Sequence, residues 1–104
     1  MYLLPHRNPN VIFQKVSDGA VLLSTWDEVY YGLNSVGVQI WELLPPQLHT
    51  VDELCHALRL RYPNVDATTI RLDALELLND LSKNGLVQPV SETDNGNQAQ
   101  IDSP

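Results

Sequence analysis

Asp73, Glu76 and Asp80 stand three and four residues apart, so on a helix their carboxylates share one face. Paired carboxylates are raw material for general acid–base chemistry. Nothing else in the sequence converges on these three, and they read as a solvated acidic face. His6, His49 and His56 are far apart, and neither Cys55 nor a carboxylate stands with them at a metal-ligand spacing. His56 follows Cys55 directly, and adjacent residues on a helix point in different directions. Gly19, Gly32, Gly37 and Gly85 are isolated, so no glycine loop cradles a phosphate. Cys55 lies in an amphipathic pattern and reads as a small buried hydrophobe rather than a reactive thiol. The expectation is therefore no catalytic residue, no metal and no cofactor. The chemistry left to the chain is that of its backbone and its apolar faces.

The stretch that organises those faces is residues 28–41. Val29, Tyr31 and Leu33 alternate with Glu28, Tyr30 and Gly32, the period of a half-buried strand. Val36, Ile40, Trp41 and Leu44 then recur at helical spacing. Asn34 or Ser35 at the junction can accept the free N–H groups of the first turn. Before this stretch, residues 11–16 and 20–25 read as two further strands joined by Ser17-Asp18-Gly19, with Gly19 suited to positive φ. Trp26 reads as packing at the sheet margin. The three strands form an antiparallel meander.

Three helices follow. The first, about 35–44, stops at Pro45-Pro46. Gly37 inside it costs roughly 1 kcal/mol relative to Ala, a cost explained by close approach of another backbone. Thr50-Val51-Asp52-Glu53 is a capping box opening the second, with Val51, Leu54, Leu58 and Tyr62 on one face. Asp66 caps the third, about 67–83, whose stripe of Ile70, Ala74, Leu77, Leu78 and Leu81 ends at Asn84-Gly85. The expected fold is thus α+β and winged-helix-like, a three-stranded antiparallel meander followed by three helices. Residues 1–9 form an irregular lead-in, 10–90 the domain and 91–104 a disordered acidic tail.

Composition narrows the partners. The formal net charge is −7, and with Glu92, Asp94 and Asp102 of the tail set aside six basic residues still face ten acidic ones. DNA affinity comes largely from phosphate neutralisation, so nucleic acid is not the expected partner. No apolar run is long enough to cross a bilayer, no secretion signal opens the chain, and one cysteine fits a reducing cytoplasm.

Two features ask for an occupant. The third strand is an edge with unpaired N–H and C=O groups, and neither proline nor lysine blunts it. The third helix carries Leu72 and Leu75 outside its core stripe, with Asn79 between them and Arg71 at the margin. Extra leucines often widen a core; beside an open edge they also floor a groove for β-augmentation by an extended peptide. A winged-helix DNA-binding protein and a structural subunit forming a homodimer through the strand edge stand as the alternatives.

Tyr30-Tyr31-Gly32-Leu33-Asn34, then Gly37, then Ile40-Trp41-Glu42-Leu43-Leu44 resemble the signature of PqqD-like proteins. Thr50-Val51-Asp52-Glu53-Leu54 and Asn84-Gly85-Leu86 agree with it, and the resemblance spans about residues 10–88. It implies a non-catalytic RiPP recognition element, which holds the leader of a ribosomally made precursor peptide and presents it to a modifying enzyme. That partner would be a radical-SAM enzyme or a leader protease and cyclase; the motif does not separate a pyrroloquinoline quinone, lasso peptide or radical-SAM pathway. Carried over, the resemblance puts the leader along the main chain of Glu28, Val29, Tyr30, Tyr31, Gly32 and Leu33. Val29 and Tyr31 line the pocket from the sheet, Leu72, Leu75 and Asn79 from the helix, and Arg71 and Glu76 read charge at the rim. Asn34, Gly37, Trp41 and Gly85 are assigned to the fold.

Overall fold

The computed structural model describes residues 2–89, so the expected tail, 91–104, lies outside the described residues. Five strands and three helices run in the order β1 (His6–Arg7), β2 (Val11–Val16), β3 (Gly19–Ser24), β4 (Val29–Leu33), α1 (Ser35–Glu42), α2 (Val51–Arg61), α3 (Ala67–Lys83) and β5 (Val87–Gln88). β2, β3 and β4 form the expected antiparallel meander, in the order β2-β3-β4. This is an α+β fold in which one face of the sheet packs on the helices. Leu22 and Leu33 from the sheet meet Ile40 and Trp41 of α1, Leu54 and Leu58 of α2, and Ile70, Ala74 and Leu81 of α3 in one core.

The local reasons are those of the sequence. Asn34 accepts the Gly37 amide at 2.8 Å and opens α1. Asp66 accepts the amides of Thr68 and Thr69 to open α3. Gly85, at φ 71°, follows the end of α3 in the left-handed conformation that glycine adopts without strain. The capping box is present: the Glu53 amide donates to Thr50 Oγ1, while Glu53 Oε1 accepts from the amides of His49 and Thr50. Those two amides hold the Glu53 carboxyl below its ordinary value.

Two glycines act differently from expectation. Gly19 has no positive φ; a Cβ there would stand 1.9 Å from the Leu33 carbonyl oxygen, so close backbone approach excludes a side chain. At Gly37 the neighbours are instead the Leu33 side chain, at 3.1 Å from a built Cβ, and the Asn34 cap. Trp26 is not packed at the sheet margin as expected; it stands in the β3–β4 turn 76% exposed.

The N-terminal segment, expected to be irregular, is pinned along its length. Val51 donates to the Tyr2 carbonyl, Leu4 donates to His49 and is fully buried, and β1 pairs with β5 through His6↔Gln88 and Arg7↔Val87. Prolines 5 and 9 flank β1 and hide its period. Arg7 ties this strap to α1. Its Nε donates to the Trp41 carbonyl at 2.9 Å and its Nη2 to those of Glu42 (3.1 Å) and Leu44 (3.2 Å), with the guanidinium 5.9 Å from the centre of the Trp41 ring. A cation thereby satisfies the last carbonyls of α1, where the helix dipole favours one.

A lysine cannot reproduce that fork. Arg7→Lys is expected to lower stability by about 2 kcal/mol in chemical denaturation, the scale of hydrogen bonds to a charged donor. A loss under a few tenths would show that the fork does not hold α1. The depressed Glu53 value also gives a sign for pH: its contribution is present above the ordinary glutamate range and is lost as pH falls through the lower folded value. Glu53→Gln is expected to flatten that part of the stability–pH curve, read from thermal melts.

Candidate functional site

β4 pairs with β3 from Ser24↔Val29 to Ala20↔Leu33, and its other side has no strand among the described residues. In an antiparallel ladder the alternate N–H and C=O groups of such a strand point outward, free to pair. Glu28 is not part of this ribbon. It sits in the β3–β4 turn at φ 54°, and its N–H already donates to the Ser24 carbonyl at 2.9 Å. The expectation that Glu28 pairs with a guest is corrected accordingly, and Val29–Leu33 is the open length.

Side chains of β4 alternate as expected. Val29 and Tyr31 are half-buried and Leu33 is buried on the helix side, while Tyr30, 72% exposed, and Gly32 face outward. Tyr31 reaches α3, where its hydroxyl donates to Asp80 Oδ2 at 3.4 Å. Partial burial, then the Asp80 carboxylate and Glu76, push the Tyr31 phenol up from its ordinary value. Beyond it a cleft of about 290 Å³ opens between α1 and α3, walled by Val36 and Ile40 on one side and by Asp73, Glu76, Leu77 and Asp80 on the other.

The helix residues expected at this groove are divided by the structure. Glu76 lines it. Arg71 is bonded to Asp52 of α2. Leu75 and Asn79 line another depression, with Tyr2, Leu3 and Pro5 of the N-terminal strap, and Leu72 is 61% exposed. The physical reason is the geometry of α3. With Ile70 at zero and about 100° per residue, Asp73, Glu76 and Asp80 fall near 300°, 240° and 280°. Arg71, Leu72, Leu75 and Asn79 fall near 100° to 200°, across the core stripe. Periodicity locates the stripe but not which of its flanks turns to the sheet. Asp73, Leu77 and Asp80 are thus cleft residues that the sequence does not assign to the site, although the carboxylate spacing marks their face.

Among the described residues no group of three or more His, Cys, Asp or Glu is arranged to hold a metal ion, and no helix is long and apolar enough to cross a membrane. Cys55 is buried, and that burial, ahead of the nearby Arg71 charge, pushes its thiol up from its ordinary value. It is an unreactive packing group.

The model of the family described as Coenzyme PQQ synthesis protein D (PqqD) matches residues 19–87. The chain belongs to the PqqD family. The match runs from the start of β3 to β5, so it takes in the whole β4–α1–α3 cleft and leaves out β2 and the N-terminal strap. Among solved structures, this PqqD-family chain is similar to one described as "TbiB1 in Complex with the TbiA(beta) Leader Peptide". The two are 28% identical, with a TM-score of 0.72 over 84% of this chain and 99% of that one. No curated protein sequence matches the chain.

The turn that delivers β4 carries a testable strain. A side chain in the left-handed region costs roughly 1–2 kcal/mol, and glycine is free of that cost. Glu28→Gly is expected to raise stability by about 1 kcal/mol in thermal or denaturant unfolding. A destabilised variant would mean that the Glu28 side chain holds the turn.

Proposed function

We propose that this chain is a RiPP recognition element. It binds the leader of a ribosomally made precursor peptide by strand addition along Val29–Leu33 and presents that peptide to a modifying enzyme, without catalysing a reaction itself. The observation that carries the reading is the unpaired edge of β4 set beside the cleft of about 290 Å³ between α1 and α3. Membership of the PqqD family and likeness to a chain in complex with a leader peptide support it. In strand addition, main-chain hydrogen bonds give affinity and alternate side chains entering pockets give specificity. Here Val29 and Tyr31 are half-buried on the helix side of β4, Tyr31 meets Asp80 at the margin of the cleft, and Leu77, with Asp73, Glu76 and Asp80, is its α3 wall. The enzyme served is of the radical-SAM kind or a leader protease and cyclase, acting in the cytoplasm.

The DNA-binding alternative loses its recognition surface, because the exposed flank of α3 beside the sheet carries carboxylates. A homodimer through β4 would compete with the peptide for the same ribbon, and sedimentation with and without peptide separates the two.

Synthetic peptides covering each short reading frame beside the gene provide the test, followed by amide NMR and calorimetry. One of them is expected to shift the amides of Val29–Leu33 and of α3 from Asp73 to Asp80. Leu77→Ala is expected to weaken that peptide about tenfold, since removing part of a contacted leucine costs about 1–2 kcal/mol. Shifts confined to the strap or the outer sheet face, or none with any peptide, would end the proposal.

A further inference from the structure

The cleft beside β4 continues inward. Val36, Ile40 and Asp73 line both it and a second cavity of about 120 Å³ between α1, α2 and α3. Leu58, Tyr62, Val65, Ile70 and Ala74 complete the inner walls. These are apolar except for Asp73 at the shared boundary and the Tyr62 hydroxyl, which accepts a hydrogen bond from Gln39 Nε2. An apolar protein cavity of ~150 Å³ holds a benzene-sized molecule. The inner cavity therefore suits one aliphatic side chain, and Val65 at its mouth is 41% exposed.

The outer part has the opposite character. Asp73, Glu76 and Asp80 stand along one wall, and neither a lysine nor an arginine lines either part. A second copy of this chain, with net charge −7, is electrostatically the wrong guest. Exposed ion pairs alone contribute little, and an apolar socket alone does not orient an extended chain. Placed in series, the two require a cation and an aliphatic group at a set separation, which fixes both register and direction.

Resting on the leader-binding reading, we infer that the peptide taken here is a two-point guest. A lysine or arginine lies against Asp73, Glu76 and Asp80, and a Leu-, Ile- or Val-sized side chain from the same peptide fills the cavity under α1. The strand on β4 is the backbone anchor, and these two side chains are the selectivity.

A random peptide library displayed on phage and panned against the full chain tests this, with the enriched peptides synthesised for calorimetry and methyl NMR. The inference expects enriched sequences that pair a basic with an aliphatic residue at a constant spacing. Their binding shifts the methyl signals of Val36, Ile40, Val65 and Ile70 together with the β4 amides. Replacing the aliphatic residue by Ala weakens binding about tenfold and abolishes the methyl shifts. Val65→Phe, at the exposed mouth where folding is tolerant, weakens the parent peptide but not its Ala version. Asp73→Asn with Asp80→Asn removes the advantage of Lys over Gln in the peptide. Peptides that move the β4 amides without the methyls, or that are enriched in acidic residues, overturn this inference and leave strand addition standing. Peptides that leave the β4 amides unmoved overturn both.

Discussion

β4 is held on three sides and open on the fourth. Its inner side is laddered to β3 along its whole length. Its end is clamped, because Gly19 sits against the Leu33 carbonyl and the Leu33 side chain lies under Gly37. One residue later Asn34 turns the chain into α1 and caps it. The backbone that would meet a guest is therefore already ordered. Ordering one residue of backbone costs roughly 1–2 kcal/mol, and an added strand bears that cost only for the guest. Change in Gly19, Leu33 or Asn34 would disturb that readiness without touching the outer edge.

The opposite flank of α3 is bordered by the protein's own N-terminus. The strap from Tyr2 to Asn8 runs beside Leu75 and Leu78, pairs with β5, and ends with Asn8 Nδ2 donating to the Gly85 carbonyl at 2.8 Å. Arg7 fastens the same segment to the last turn of α1. Of the two leucines outside the core stripe, Leu75 thus borders the chain's own N-terminus, while Leu72 is exposed. The flank without such cover is the acidic one, and it is the one beside β4.

Much of this was legible from the residues. The meander, the three helices, the caps at Thr50 and Asp66, a cap at Asn34 or Ser35, and the edge position of β4 all follow from period, turn chemistry and strand count. What could not be read were contacts set by tertiary direction. The pairing of His6 and Arg7 with Val87 and Gln88 joins two-residue segments 80 or more positions apart, too short to show a period. The flank of α3 facing the sheet depends on how the helix is rolled about its stripe, and a stripe is symmetric in sequence. Trp26 and Glu28 failed for a related reason. A four-residue turn can expose a large ring and hold a glutamate at positive φ when the ladder on either side is strong enough to impose it.

An edge with no proline, no lysine and an exposed tyrosine is ordinarily a hazard, because another copy can add to it. Here the carboxylates take the place of the missing strand breakers. A second copy approaching along β4 carries the same acidic flank, and like charges within about a Debye length, roughly 8 Å at physiological salt, repel. The same wall attracts a guest of opposite sign. On the proposed reading, a single acidic flank on α3 would do two jobs that sheet proteins usually assign to different residues: disfavour a second copy at the edge and favour a basic peptide there. That is a reason for Asp73, Glu76 and Asp80 to stand at helical spacing with no catalytic partner. On that reading their chemistry is electrostatic selection at a strand edge.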